Sequence, residues 1–202
     1  MRILIIPVNY NSYKELECYL SSINKAVFRS KDTIVEIIIA DNSTIQEPCE
    51  FAYNNISSIH IEKYDNLGYL GGAQKVMNSL SFISDYDYIV ISNVDILLGE
   101  NFFMNLSSIK DDDTIGWIAP QIWTEEECRD KNPKVIKRYT RSKLEKIKLL
   151  YRYPFLGYVY TNTLYLKKKS RANYNEMDIY AVHGSFIILT KHFFNLLNIP
   201  LD

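Results

Sequence analysis

The sequence predicts an α/β domain built on a mostly parallel, doubly wound sheet flanked by helices. Three observations predict it. Short apolar runs rich in β-branched residues recur at Arg2–Val8, Thr33–Ala40 and Tyr88–Ile91, each with the length and composition of a strand buried on both faces. Segments of helical periodicity separate them. Polar residues collect at the carboxyl end of each run, as Asn9-Tyr10-Asn11, Asp41-Asn42-Ser43-Thr44 and Asn93-Val94-Asp95. That end is where open α/β sheets bind ligands.

The elements follow in order. Arg2–Val8 leads through a polar loop into Ser12-x-x-Glu15, a capping box that opens a helix to about Phe28 with Leu16, Tyr19, Leu20, Ile23 and Val27 on one face. Thr33–Ala40 is the second strand. Ser58–Lys63 alternates like a shorter, more exposed one. Asn66-Leu67-Gly68-Tyr69-Leu70-Gly71-Gly72-Ala73 then forms a glycine-rich turn before a helix over Gln74–Ile83. Such a turn lets backbone N–H groups approach an anion. The fourth strand ends in Asn93-x-Asp95, whose hard oxygens suit Mg²⁺ or Mn²⁺, ions held by one or two carboxylates together with substrate phosphates. An Asx-turn after a core strand is the plainer reading of that tripeptide.

Length and composition bound the class. With 202 residues, 47% of them hydrophobic, the chain can form one sizeable core. A single domain over 1–202 is expected, which the resemblance set out below would divide into a nucleotide-binding half at 1–98 and an acceptor-side half at 99–202. The net charge is −1, yet 129–171 carries 14 Lys/Arg against Asp130 and Glu145, a net of +12, leaving −13 for the rest. This segregation points to an anionic partner near the basic insertion. Cys18, Cys49 and Cys128 are odd in number and lack motif spacing, which favours ordinary thiols in a reducing compartment. Ile3–Val8 is too short for a signal-peptide core, and no run approaches the roughly 20 apolar residues of a membrane span. No internal repeat or low-complexity tract interrupts the pattern.

Two nucleotide-binding motifs are excluded. The glycine turn lacks the Gly-Lys-Ser/Thr of a P-loop, and the first strand-helix turn, Asn9-Tyr10-Asn11, has none of the dinucleotide glycines. The same turn lacks the glycine-rich, basic signature of a sugar nucleotidyltransferase.

The ordered set VNYN (8–11), ADNST (40–44), NLGYLGGA (66–73), VISNVD (90–95), APQI (119–122) and VHGSFIIL (182–189) resembles the family 2 inverting glycosyltransferases of the GT-A fold. It is most similar to the bacterial branch that builds surface polysaccharides such as capsule and O-antigen, which includes rhamnosyl- and galactofuranosyltransferases. The resemblance implies that Asn9 and Asn11 touch the donor nucleotide. It further implies that Asp41 hydrogen-bonds base or ribose, and that Asn66 and Gly68 to Gly72 line the ribose and diphosphate. Asn93-Val94-Asp95 stands for the family's Asp-x-Asp, with Asp95 the metal-facing carboxylate and Mg²⁺ or Mn²⁺ the cofactor. His183 and Gly184 match the segment where acceptor and sugar meet, although a satisfied structural histidine is the commoner reading of His183. Trp117 and Trp123 are expected in the core rather than stacked on sugar.

The implied reaction moves a sugar from a UDP- or dTDP-sugar to a saccharide or polyprenyl-diphosphate-linked acceptor. The family's general base lies some 10 residues past the counterpart of Asn198–Asp202, and Asp178 is a poor substitute because it precedes the acceptor-side strand. The expectation is therefore a chain cut short of its base, a silent nucleotide-sugar-binding or scaffold remnant, or one completed by a partner. The basic segment adds a reading of its own. Ile136, Tyr139, Leu144, Ile147, Leu150 and Tyr151 fall near helical spacing among lysines and arginines, followed by the uncharged Tyr153–Leu166 and by Lys167-Lys168-Lys169-Ser170-Arg171. This predicts either a membrane-surface element at 134–171 or an insertion that packs on the domain and shows its lysines to water. A cytoplasmic protein, at most seated on the inner face of the cytoplasmic membrane, is expected. Nucleic acid is not expected as a partner, given the pI near 6.3 and the lack of a reader helix.

Overall fold

The structure, a computed structural model, describes residues 1–45, 47, 51–80, 83–109, 114–124, 128–133, 135, 137–160 and 180–197. Cys49, Lys167–Arg171, Asp178 and Asn198–Asp202 lie outside these. The chain forms two compact units, 1–120 with 184–202, and 121–183.

The first unit is the mixed α/β sheet. Its strands are β1 (Arg2–Asn9), β2 (Ile34–Asp41), β3 (Ser58–Lys63), β4 (Tyr88–Asn93), β5 (Trp117–Ile118) and, after the second unit, β8 (Phe186–Thr190). They are ordered β3-β2-β1-β4-β8-β5. The first four are mutually parallel, and β8 runs antiparallel to both β4 and β5. The chain steps outward from β1 to β3 and then jumps back across β1 to β4. The reversal of strand order falls between β1 and β4, the place where a crevice opens beyond the carboxyl ends of parallel strands.

Central position explains the apolar runs. Ile3 to Val8 are all buried. Leu4, Ile6 and Val8 pack with Ala73, Val76 and Met77 of α2 (Gly68–Ser79) and with Ile89 and Ile91. Alternation turns Ile3, Ile5, Ile37 and Ile39 to the other face, where α1 (Tyr13–Arg29) buries Leu16, Tyr19, Leu20, Ile23 and Val27. Pro7 lies inside this central strand. The β1–β2 pairing runs to Ile5↔Ile37 and resumes at Val8↔Ala40, consistent with a residue that has no N–H for the ladder.

Local chemistry departs from expectation in two places. The Ser12 capping box does not form, because the Ser12 hydroxyl donates to the Tyr10 carbonyl and makes no cap hydrogen bond. The helical stretch expected from Gln74 instead begins at Gly68, so the glycines form its first turns rather than a loop ahead of it. α3 (Phe102–Ser107) and α6 (Lys191–Leu197) complete this unit. Between the parallel β2 and β3 no helix occurs among the described residues.

The second unit holds the paired strands β6 (Trp123–Thr124) and β7 (Arg129–Asp130), then α4 (Arg141–Arg152) and α5 (Pro154–Val159). Among the described residues of the basic segment, helix begins at Arg141 rather than earlier, and Lys134 and Ile136 lie outside the described residues.

Candidate functional site

The residues that end the parallel strands converge. Asn9 is paired in register with Asp41, and Val8 with Asn93, so the polar ends of β2, β1 and β4 lie side by side on one edge of the sheet.

Asp41 organises that edge. It is 2% exposed. Its Oδ1 accepts from Asn9 Nδ2 at 3.0 Å, from the Ser43 hydroxyl at 2.5 Å and from the Ser43 N–H at 3.2 Å, while its Oδ2 accepts from the Tyr13 hydroxyl at 2.7 Å. A carboxylate offers about four lone-pair positions, so most of its capacity is used within the protein. Burial pushes the Tyr13 phenol up, the Ser43 hydrogen bond opposes this, and the Asp41 charge adds to it. Asn9 Oδ1 accepts from the Ser12 N–H at 3.2 Å, and the Asn11 N–H donates to Ser43 Oγ at 2.8 Å. Asn11, with φ of 53°, also accepts from the Ile45 N–H at 3.1 Å. These bonds lock the β1–α1 loop against the β2 loop.

Beside this lock lies an open cleft of about 480 Å³ lined by Asn42, Ser43, Thr44, Lys63, Tyr64, Asp65 and Asn66. Its floor is fixed by backbone: the Tyr64 N–H donates to the Asp41 carbonyl at 2.9 Å and the Asn42 N–H to the Asn9 carbonyl at 2.9 Å. The wall is rich in hydroxyl, amide and carboxyl groups, the chemistry that reads a polar ring edge or a vicinal diol.

The start of α2 packs against Asn42 of the cleft wall. Asn66 Oδ1 accepts from the Gly68 N–H at 3.0 Å, and Gly68 has φ of +73°, a conformation glycine adopts without a Cβ penalty. Asn42 Nδ2 donates to the Gly68 carbonyl at 3.0 Å. A Cβ at Gly72 would lie 3.0 Å from Asn42 Nδ2, so this glycine is what lets the Asn42 amide sit against the helix.

Asp95 is exposed just past β4 and makes no hydrogen bond or ion pair among the described residues. Burial, and after it the Asp95 charge, pushes the Tyr69 phenol up. Tyr69 in the first turn of α2 therefore stands within electrostatic reach of this carboxylate. The Tyr69 hydroxyl and Asn42 Oδ1 are buried without a hydrogen-bond partner among the described residues. A lone exposed carboxylate fits a divalent ion that takes its remaining oxygens from substrate and water. No cluster of three His, Cys, Asp or Glu able to hold a metal unaided occurs among the described residues.

The Asn93 N–H donates to the Ser185 carbonyl at 2.9 Å, bringing the residue after Gly184 to the end of β4. His183 belongs to the second unit, where its N–H donates to Asn132 Oδ1 at 2.7 Å. It precedes β8 rather than lying on a strand. Trp117 and Trp123, expected in the core, are 47% and 55% exposed, because each sits on a two-residue strand.

The structure thus brings Asn9, Asn11, Asp41, Asn66, Gly68, Gly72, Asn93 and Asp95 to one edge of the first unit. Ser43, Thr44, Tyr64 and Asp65 join them, and Tyr13 supports Asp41 from α1. Ser43 and Thr44 stand inside the ADNST motif and were signalled by it. Tyr13 carried no signal, since its role depends on where α1 starts.

The chain matches no protein-family model and no curated protein. Among solved structures it is similar to S. aureus TarS 1–349, at 15% identity and a TM-score of 0.38 over 54% of this chain and 32% of that one. It is similar to the galactosyltransferase LgtC in complex with donor and acceptor sugar analogues, at 12% identity and a TM-score of 0.41 over 97% of this chain and 60% of that one. A third is the bifunctional glycosyltransferase WbbM in its apo form, at 12% identity and a TM-score of 0.44 over 98% of this chain and 33% of that one. The chain spans less than two thirds of the length of each. At these scores the likeness is loose and assigns no residue a role.

Proposed function

We propose that this chain carries the donor site of a GT-A glycosyltransferase of the inverting, family 2 type, which moves a sugar from a UDP- or dTDP-sugar to a saccharide or polyprenyl-diphosphate-linked acceptor in surface-polysaccharide synthesis. The observation that carries the reading is the convergence of Asn9, Asp41, Asn66 and Asp95 on the carboxyl edge of the parallel strands, with an open polar cleft beyond the ends of β2 and β3. In this reading Ser43, Thr44 and Asp65 meet the base and ribose. Asp41 acts chiefly by holding Asn9 and Ser43 in place, and the start of α2 faces the diphosphate. Asp95 would hold Mg²⁺ or Mn²⁺ together with diphosphate oxygens, and the ion when bound would neutralise charge on the leaving nucleoside diphosphate. Gly184 and His183 mark the acceptor side. The acceptor hydroxyl loses its proton to a general base as its oxygen attacks the anomeric carbon, and the bond to the diphosphate oxygen breaks.

The site would work in the cytoplasm, at the inner face of the membrane when the acceptor is lipid-linked. No helix among the described residues is long and apolar enough to cross a membrane. The test is release of UDP, dTDP or GDP from a panel of nucleotide sugars with Mn²⁺ or Mg²⁺, with and without a polyprenyl-diphosphate acceptor. Acceptor-dependent release supports transfer. Binding without release supports a silent donor-binding module, and the absence of any nucleotide binding overturns the reading.

A further inference from the structure

We propose that α4 and the turn into α5 form a docking surface for anionic lipid headgroups. α4 is opened by Thr140, whose Oγ1 accepts from the Lys143 N–H at 3.3 Å, and it buries none of its residues. At 3.6 residues per turn Leu144, Ile147 and Tyr151 share one face, and of these Leu144 is 45% and Tyr151 85% exposed. α5 abuts the carboxyl end of α4, since a Cβ at Gly157 would lie 3.2 Å from the Leu150 carbonyl oxygen. The first turn of α5 presents Phe155, 75% exposed. Large apolar side chains grouped in this way on a soluble surface mark a binding face.

Charge decides what binds. α4 carries Arg141, Lys143, Lys146, Lys148 and Arg152 against Glu145, five cations less one acid, or +4. Glu145 is engaged by Lys148 at 2.9 Å. The whole chain is net −1, so this helix is a local cationic island. Cations flanking exposed aromatic and aliphatic side chains suit a membrane interface, where the apolar groups enter the headgroup region and the lysine stems reach back to anionic lipid. A nucleic acid would be served by the cations and would leave Leu144 and Phe155 without a partner. The inference does not rest on sugar transfer, because lipid binding requires no nucleotide.

The test is co-sedimentation of the full chain with vesicles of equal parts phosphatidylglycerol and phosphatidylcholine, against pure phosphatidylcholine. Selective pelleting with the anionic vesicles, weakened by salt, is expected. Each surface cation removed should cost about fivefold in affinity. The triple variant Lys143→Gln, Lys146→Gln, Arg152→Gln should therefore lose on the order of 100-fold, and Tyr151→Ser with Phe155→Ser should also bind more weakly. Glu145→Gln should bind more tightly, a gain that a folding defect could not produce. Equal binding to both vesicles, no binding to either, unchanged binding by the aromatic variant, or displacement from the vesicles by a DNA duplex would overturn the proposal.

Discussion

Asn9 Nδ2 and Asp41 Oδ1 meet at 3.0 Å across adjacent strands whose register already pairs the two residues. Neither side chain is available to solvent, and the pair joins the β1 and β2 loops into one rigid edge. The architecture of the candidate donor site depends on this contact more than on any surface residue.

The first prediction concerns Asp41. Asp41→Ala leaves the donors on Asn9, Ser43 and Tyr13 unpaired, and buried unpaired donors cost about 1–3 kcal/mol each. A loss of roughly 3 kcal/mol or more in urea unfolding is expected. Asp41→Asn should cost only about 1 kcal/mol, since the Tyr13 hydroxyl can turn to accept from the new amide. Nucleotide affinity should fall in both. Equal stabilities for the two variants would show that the hydrogen-bond network is not what holds the edge.

Gly72 and Gly71 should part company. Alanine at 72 places its Cβ 3.0 Å from Asn42 Nδ2 and 3.4 Å from the Ala40 Cβ, whereas at 71 it meets only the Leu67 Cβ at 3.2 Å, on an exposed side chain. Overpacking costs about 1–3 kcal/mol, against a helix-propensity gain of about 1 kcal/mol. Gly72→Ala should lower stability by about 1 kcal/mol and weaken nucleotide binding, and Gly71→Ala should be neutral or stabilising. Thermal melts of the two variants check this directly.

Alkaline pH gives a third prediction. Tyr86 is buried and donates to Glu36 Oε2 at 2.9 Å. Burial first, and Glu36 second, push its phenol up to about 12. In the unfolded chain it ionises near the ordinary value of about 10. Because the folded value is the higher one, the contribution to stability is fully present below about pH 10 and is lost as pH rises from there through about 12. Urea midpoints should fall over that window, and Tyr86→Phe should make the fall shallower while costing about 1 kcal/mol at pH 8. Identical slopes in the two proteins would contradict this assignment.

Much of this was legible before the structure. Ser58–Lys63 forms over the expected residues, and β1, β2 and β4 lie within two residues of their expected ends, because buried parallel strands announce themselves by composition alone. The strand-end motifs were visible for the same reason. The start of α2 was not, since a run with three glycines reads locally as a turn, whereas in the fold it is helix packed closely on Asn42. Trp117 and Trp123 misled because size and hydrophobicity predict burial, while the short strands that carry them offer no core. The inward use of the Asp41 carboxylate was equally hidden. Its partners Asn9 and Tyr13 lie 32 and 28 residues away in the chain, and only the fold brings them to it.

The central claim is that this sheet edge binds a nucleoside diphosphate through a metal held by Asp95. Calorimetric titration of UDP and dTDP, with and without Mn²⁺, on the wild-type chain and on Asp95→Ala tests it most directly. Asp95 is exposed and outside the Asp41 network, so the variant should fold normally. The account predicts that Mn²⁺ tightens nucleotide binding to the wild type by at least tenfold, roughly 1.4 kcal/mol, and has no effect on the variant. Nucleotide binding indifferent to both Mn²⁺ and Asp95 would contradict it.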